Sequence, residues 1–299
     1  MDTPNSAIPA RMGIIKMLVA AAKAWEKDRA PTMGAALSYY TIFSLAPLLL
    51  IVISVAGFIF DVETVRNEIF RQLNVFLGIE GEQTIDGLLQ SINKPVQGIV
   101  ASIVAVTVMI IGATTVFAEL QASLDHIWRA PARENSNWGL IALLRARVLS
   151  LGMILGIGFL LTVSLILSAV FAAMQKWWAP YFSGWDQLLQ MINASVGFML
   201  TILMFAMIYK YIPRVRMAWS DVWMGAIMTT VLFTIGRVFI SLYVGYSGVT
   251  SGFGAAGSLI VVLVWVYYSA QIFLYGAEFT WVYAHTHGSL RTSEIKLHP

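Results

Sequence analysis

Six apolar runs, each long enough to cross a bilayer, constrain this chain more than any other feature. They cover residues 35–60, 98–120, 140–174, 188–211, 221–245 and 255–283. A helical span needs about 20 mostly apolar residues. Backbone N–H and C=O groups in hydrocarbon find no water, so runs of this length fold as helices that satisfy them internally. The expected fold is all-α: a polytopic membrane helical bundle with six transmembrane helices, forming a single integral membrane domain over residues 1–299. Pro47 lies inside the first run and predicts a kink there. The third run is longer than a bilayer needs, so it tilts or projects into water.

Composition supports the same class. The chain is 58% apolar and 12% charged, whereas a soluble domain is about a quarter charged. Cysteine is absent, which rules out disulfides and thiolate zinc sites. The first run exceeds the roughly 7–15 residues of a signal-peptide core, so it reads as a retained span.

Orientation follows from the basic residues. Of the 19 Lys and Arg, 14 fall in the N-terminal segment, the loop after run 2 with the start of run 3, the end of run 4 with the loop after it, and the tail. Four fall on the other side, and Arg237 lies within a run. Both termini are therefore expected in the cytoplasm.

Three polar segments flank the runs. Residues 12–30 place Met12, Ile15, Leu18, Val19, Ala22 and Trp25 on one helical stripe beside Lys16, Lys23 and Lys27. That pattern predicts an amphipathic interfacial helix on an anionic leaflet, with membrane lipids as partners. Residues 61–97 show two sets of apolar residues at helical spacing, separated by Gly78 and Gly81. They predict a helical hairpin on the outer face, either a solvated connector or a lid over a cavity. Residues 285–299 form a cytoplasmic tail. Tryptophans and tyrosines gather at the ends of the runs, as interface anchors do. Residues 245–257 carry five glycines, which implies a tight turn or a close backbone approach. Gly152 and Gly156 make a GxxxG that reads as helix packing.

The stretch FLYGAEFTWVY, residues 273–283, places an acid, Glu278, near the end of the last run. Charges inside spans are costly and usually face a bundle interior or water. Glu119 and Arg237 are two further candidates in or near the ends of runs. At about 1.5 Å per residue, Glu119 lies roughly 30 Å and Glu278 roughly 35 Å along inward-running spans. Arg237 lies roughly 24 Å along an outward-running one. The two glutamates therefore share the cytoplasmic depth, and an Arg237–Glu278 pair is disfavoured. The glutamates are either interface residues paired with basic groups such as Arg29, Arg145 or Arg147, or a proton or headgroup site. Arg237 either snorkels to outer headgroups or anchors an anionic group. Tyr39, Tyr40 and Ser44, with Ser38 and Thr41, gather hydroxyls beside Pro47. Such hydroxyls either bond their own backbone or line a cavity.

No zincin, nucleophile-elbow or phosphate-loop motif occurs in the sequence. His285 and His287 are a lone pair on the tail, read as solvated. No catalytic residue, metal site, cofactor or nucleic-acid partner is expected.

The run Ala35-Ala36-Leu37-Ser38-Tyr39-Tyr40 through Ser44-Leu45-Ala46-Pro47-Leu48-Leu49 resembles the opening of the YihY/virulence factor BrkB family. Tyr243, the glycine-rich loop, Trp265-Val266-Tyr267-Tyr268 and Gly276-Ala277-Glu278 match its later part. The resemblance covers about residues 15–285. It implies a bacterial inner-membrane protein of six spans and ranks Glu278 first among the candidates. Some members were once labelled ribonuclease BN. This chain has neither a soluble basic domain nor an acidic metal cluster for cutting RNA. The expected function is transporter-like, moving a lipid or another amphipathic anion. The alternative is a structural envelope protein that scaffolds partners and transports nothing. Homo-oligomers and envelope-protein partners both remain open.

Overall fold

The computed structural model describes residues 12–57, 61–67, 69–70, 85–87, 89–90, 99–131, 185–215, 217–247 and 257–292. It also describes six isolated positions between 152 and 174. Among these residues the chain is all-helical, with no strand. The helices are α1 (Ile14–Lys27), α2 (Ala30–Ala56), α3 (Ile99–Ile127), α4 (Trp185–Tyr211), α5 (Trp219–Ser247) and α6 (Gly257–Thr286). A 3-10 turn at Ser289–Thr292 follows α6. Most of the third apolar run and most of the glycine-rich loop lie outside the described residues.

Helices α2 to α6 run 27 to 30 residues, or roughly 40–45 Å at 1.5 Å per residue. That exceeds the roughly 30 Å hydrocarbon core. Within the described residues, Gln187–Tyr211, Trp219–Phe239 and Leu259–Thr286 are long and apolar enough to cross a membrane. Helix α2 continues through Pro47. Helix α3 outruns its apolar stretch by two turns, carrying Gln121, Ser123 and Asp125 with it.

Helix α6 is the hub, packing against α1, α2, α3 and α5. Its contact with α5 is built on reciprocal small residues. A Cβ on Gly225 would strike Thr280, and one on Gly276 would strike Thr229 and the Tyr209 hydroxyl. Each threonine turns its hydroxyl back onto the carbonyl four residues earlier, Thr229 onto Gly225 at 2.8 Å and Thr280 onto Gly276 at 2.7 Å. The backbones can therefore approach closely while the hydroxyls stay satisfied, as in small-xxx-small packing. The Tyr209 hydroxyl donates to the Phe273 carbonyl at 2.7 Å and ties α4 into the same seam.

The two ends of the bundle differ. At one, called distal here, Val65, Phe70, Ile85 and Leu89 cluster with Leu49 and Ile53 of α2 and Val262 of α6. Arg66 pairs with Asp86 there. The described residues of the 61–97 segment thus pack over the ends of α2 and α6. At the other, proximal end, α1 lies against α6 through Met17, Ala21, Phe279 and Val282. The Tyr275 hydroxyl donates to the Leu18 carbonyl at 3.0 Å.

Candidate functional site

Among the described residues, the buried acids lie at the proximal end. Asp125 of α3 accepts the Arg214 backbone N–H at 2.8 Å and pairs with its guanidinium at 3.3 Å. Gln121 donates to the Ile212 carbonyl at 2.9 Å. Together they pin the α4–α5 loop onto α3. Burial pushes the Asp125 carboxyl up, and Arg214 offsets part of that. Asp221, fully buried in the first turn of α5, accepts the backbone N–H of Ser289 at 3.1 Å and its hydroxyl at 2.6 Å. The 3-10 turn is thereby fastened to the start of α5, where the helix dipole also favours an acid.

Glu278 is different. It is 1% exposed, yet no N–H or O–H reaches its Oε1. The charged groups facing it are Asp28, within side-chain hydrogen-bonding reach, and Arg129. Neither lies in an apolar run. Buried polar atoms are nearly always bonded, so an orphan calls for a physical explanation. Gln271 repeats the pattern two turns away on the same stripe of α6. Its Nε2 approaches the Pro31 carbonyl at 3.4 Å, and its Oε1 has no partner. Its amide occupies the space that a side chain on Gly34 would fill. The Trp25 indole N–H is a third buried orphan at this end.

Two equivalent elbows deliver the groups around Glu278. The tripeptide Arg-Ala-Pro occurs at residues 29–31 and again at 129–131. Arg29 (φ 55°) and Arg129 (φ 52°) both adopt the left-handed conformation, a position that glycine or asparagine usually takes just past a helix. At α3 the Arg129 N–H donates to His126 and the Ala130 N–H to Asp125, closing the helix end. At α1 the Arg29 N–H donates to Glu26. Each left-handed arginine costs about 1–2 kcal/mol relative to glycine. The first elbow carries Asp28 to Glu278. The second carries Arg129, whose guanidinium lies 4.3 Å from the centre of the Trp281 ring. Trp128 donates its indole N–H to the Ala277 carbonyl at 3.0 Å.

The other residues singled out from sequence lie elsewhere. Glu119 is half-buried on α3 and is not among the charges facing Glu278. Arg237 is exposed on α5. Thr229 and Gly225 of α5 face Gly276 and Thr280, so Glu278 is level with the segment between them. Arg237 lies roughly 15 Å further along, at 1.5 Å per residue. Tyr39 is exposed and stacks edge-on against Tyr40 at 5.5 Å. Ser44 is buried, and Ser38 donates to its own Gly34 carbonyl at 2.7 Å. Arg145 and Arg147 lie outside the described residues. Sequence reasoning missed Asp28, Arg129 and Gln271. The repeated Arg-Ala-Pro was the available signal, since proline shortly after a helix marks its end. Among the described residues no group of three or more His, Asp or Glu could hold a metal ion.

An all-helical protein with bilayer-length apolar helices and a buried acid at one end of its hub helix belongs to the class of integral membrane proteins. The chain belongs to the Virulence factor BrkB family, whose model matches residues 21–296. It is similar to the UPF0761 membrane protein of Pseudomonas aeruginosa strain LESB58, with 26% identity over 84% of this chain and 58% of the relative. The chain thus spans little more than half the length of that relative. UPF0761 membrane proteins of Tolumonas auensis (24% identical, 85% of this chain, 80% of the relative) and Psychromonas ingrahamii (26%, 85%, 83%) are similar over most of their length. No solved structure matches the chain.

Proposed function

We propose that this protein is a transporter-like polytopic protein of the bacterial inner membrane that moves a lipid or another amphipathic anion, with Glu278 at the heart of its cytoplasmic-side site. The observation that carries this reading is the orphan Oε1 of a fully buried Glu278, set against Asp28 and Arg129. A carboxylate kept only as a brace would be met by donors, as Asp125 and Asp221 are. Glu278 and Gln271 leave acceptors open along one stripe of α6, and an open polar stripe is what a passage needs. Arg129 supplies the positive charge that an anionic headgroup would seek.

The same reading takes six spans, both termini in the cytoplasm and no catalysis by the protein itself. Helix α1 rests on the anionic inner leaflet. Ile15 and Val19 are exposed beside Lys16 and Lys23, so apolar side chains enter the headgroup layer while lysines meet phosphates. The described residues of the 61–97 segment pack at the outer end, the Gly78 and Gly81 turn of the expected hairpin lies outside the described residues, and Arg237 and the exposed Tyr39 face lipid. A scaffold that transports nothing is the second reading. It is favoured by the pinned proximal loops, where Asp125 holds Arg214 and Asp221 holds Ser289.

Reconstitution into liposomes separates the two. Fluorescent anionic lipid translocation and ion flux are measured for wild type and Glu278→Gln. Transport predicts flux in wild type and its loss in the variant. Wild-type liposomes indistinguishable from empty ones would favour the scaffold.

A further inference from the structure

We infer that Asp28 and Glu278 form one proton-binding site, in which the proton is the donor that neither carboxylate can offer the other. Glu278 is buried, and no protein N–H or O–H reaches its Oε1. The side chain within hydrogen-bonding reach is a second carboxyl, Asp28. Ionised carboxylates only accept, so two of them cannot bond until one carries a proton. A single proton between them turns two facing acceptors into a donor and an acceptor.

The surroundings favour a proton over a metal cation. Hard cations gather six or more oxygens, whereas this pair is flanked by the Arg129 guanidinium and the Trp281 ring beneath it. The nearby titratable groups of α5 and α6 are otherwise committed. Helix α5 meets α6 here with Gly225 and Thr229, and its buried acid Asp221 is held by Ser289. On α6 itself, Tyr275 donates to the Leu18 carbonyl and His285 bonds the Trp281 carbonyl. Asp28 and Arg129 are left as the charges that answer Glu278.

The site couples charge to shape. With the proton bound, the carboxyls hold the α1–α2 elbow against α6. With the proton gone, two negative charges face each other and repel, and Arg129 is drawn toward them and away from the Trp281 ring. The proton leaves as a hydrated proton to the cytoplasmic side and returns from it, with no other bond changed. As the coupling ion of a transporter, this proton rests on the reading above. As a binding site, it rests on the two carboxyls alone.

The test uses full-length protein in lipid nanodiscs and needs no transport. Infrared difference spectra over a pH titration follow the carboxylic-acid C=O band, and tryptophan fluorescence is read in parallel. In wild type, one carboxylic-acid band vanishes in step with a fluorescence change, at the same midpoint. Asp28→Asn and Glu278→Gln each remove both signals. Asp28 is only half-buried and Asn supplies the missing N–H, so Asp28→Asn tests the proposal even where Glu278→Gln does not fold. No such band in wild type, or a band untouched by Asp28→Asn, overturns the proposal. So does a band displaced by sodium chloride but not by choline chloride, which would assign the site to a metal cation. A titrating pair in a protein that carries no flux would leave this site standing and remove only its role in transport.

Discussion

Trp128 donates its indole N–H to the carbonyl of Ala277 across 3.0 Å, one residue before the buried acid Glu278. Trp128 directly follows α3, and its neighbour Arg129 carries the guanidinium that faces Glu278. The bond therefore fixes where Arg129 stands relative to α6. Asp28 holds the equivalent place before the other Arg-Ala-Pro elbow. One elbow thus brings an acid and the other a base to the same residue.

Replacing Trp128 by Phe keeps the ring and removes the donor. A net hydrogen bond is worth about 0.5–1.5 kcal/mol, so thermal unfolding in nanodiscs should show a loss of that size. Arg129 should also become more accessible to arginine-modifying reagents. An unchanged melting curve with unchanged modification would show that the bond positions nothing.

The α5–α6 seam makes a sharper demand on volume. Gly225→Ala and Gly276→Ala each place a methyl group into a threonine of the facing helix. Overpacking of this kind costs about 1–3 kcal/mol. Gly197→Ala in α4 is the control, because a Cβ there meets nothing within 4 Å. It should be neutral or stabilising by up to about 1 kcal/mol through helix propensity. Equal effects at all three positions would mean that helix propensity, not the seam, governs them.

Asp221→Ala removes the acceptor for the Ser289 backbone N–H and hydroxyl. The residues after Thr286 should then detach from the start of α5. Limited proteolysis should cut between residues 287 and 292 in the variant and spare wild type under the same conditions. Equal cutting of both would show that the tail is held by other contacts.

The Asp125–Arg214 pair predicts a pH dependence. Burial raises the Asp125 carboxyl above its ordinary value of 3.8 despite the pull of Arg214. A carboxyl raised on folding binds its proton more tightly in the folded state. Its stabilising contribution is therefore full below 3.8 and is lost as pH rises through the raised folded value. Wild type should lose stability relative to Asp125→Asn as pH rises through that window. Parallel pH profiles for the two proteins would refute the assignment.

How much of this was legible in the sequence depends on the range of the signal. Apolar runs are local, so α4, α5 and α6 were placed to within a few residues. The C-terminal extension of α3 was missed because Gln121, Ser123 and Asp125 break the apolar pattern while still favouring a helix that other elements pin. Glu278 was legible because an acid in an apolar run is conspicuous. Depth counting also separated it from Arg237, which the packing of α5 on α6 keeps well apart. It did not find the partners. Asp28 and Arg129 sit in polar turns far off in the chain, and only the folding of both elbows onto α6 brings them to Glu278. Depth alone made Glu119 the second carboxylate, but depth says nothing of which face of α3 a residue occupies.

The account stands or falls on Glu278 as a working residue of a transport site. The direct measurement is anion flux in proteoliposomes carrying equal amounts of folded wild type or Glu278→Gln, with fluorescent anionic lipid inside and a pH step across the membrane. The account predicts translocation that follows the pH step in wild type and falls at least about tenfold in the variant, which corresponds to about 1.4 kcal/mol or more. Equal flux in both proteins, or none beyond empty liposomes in either, would contradict it.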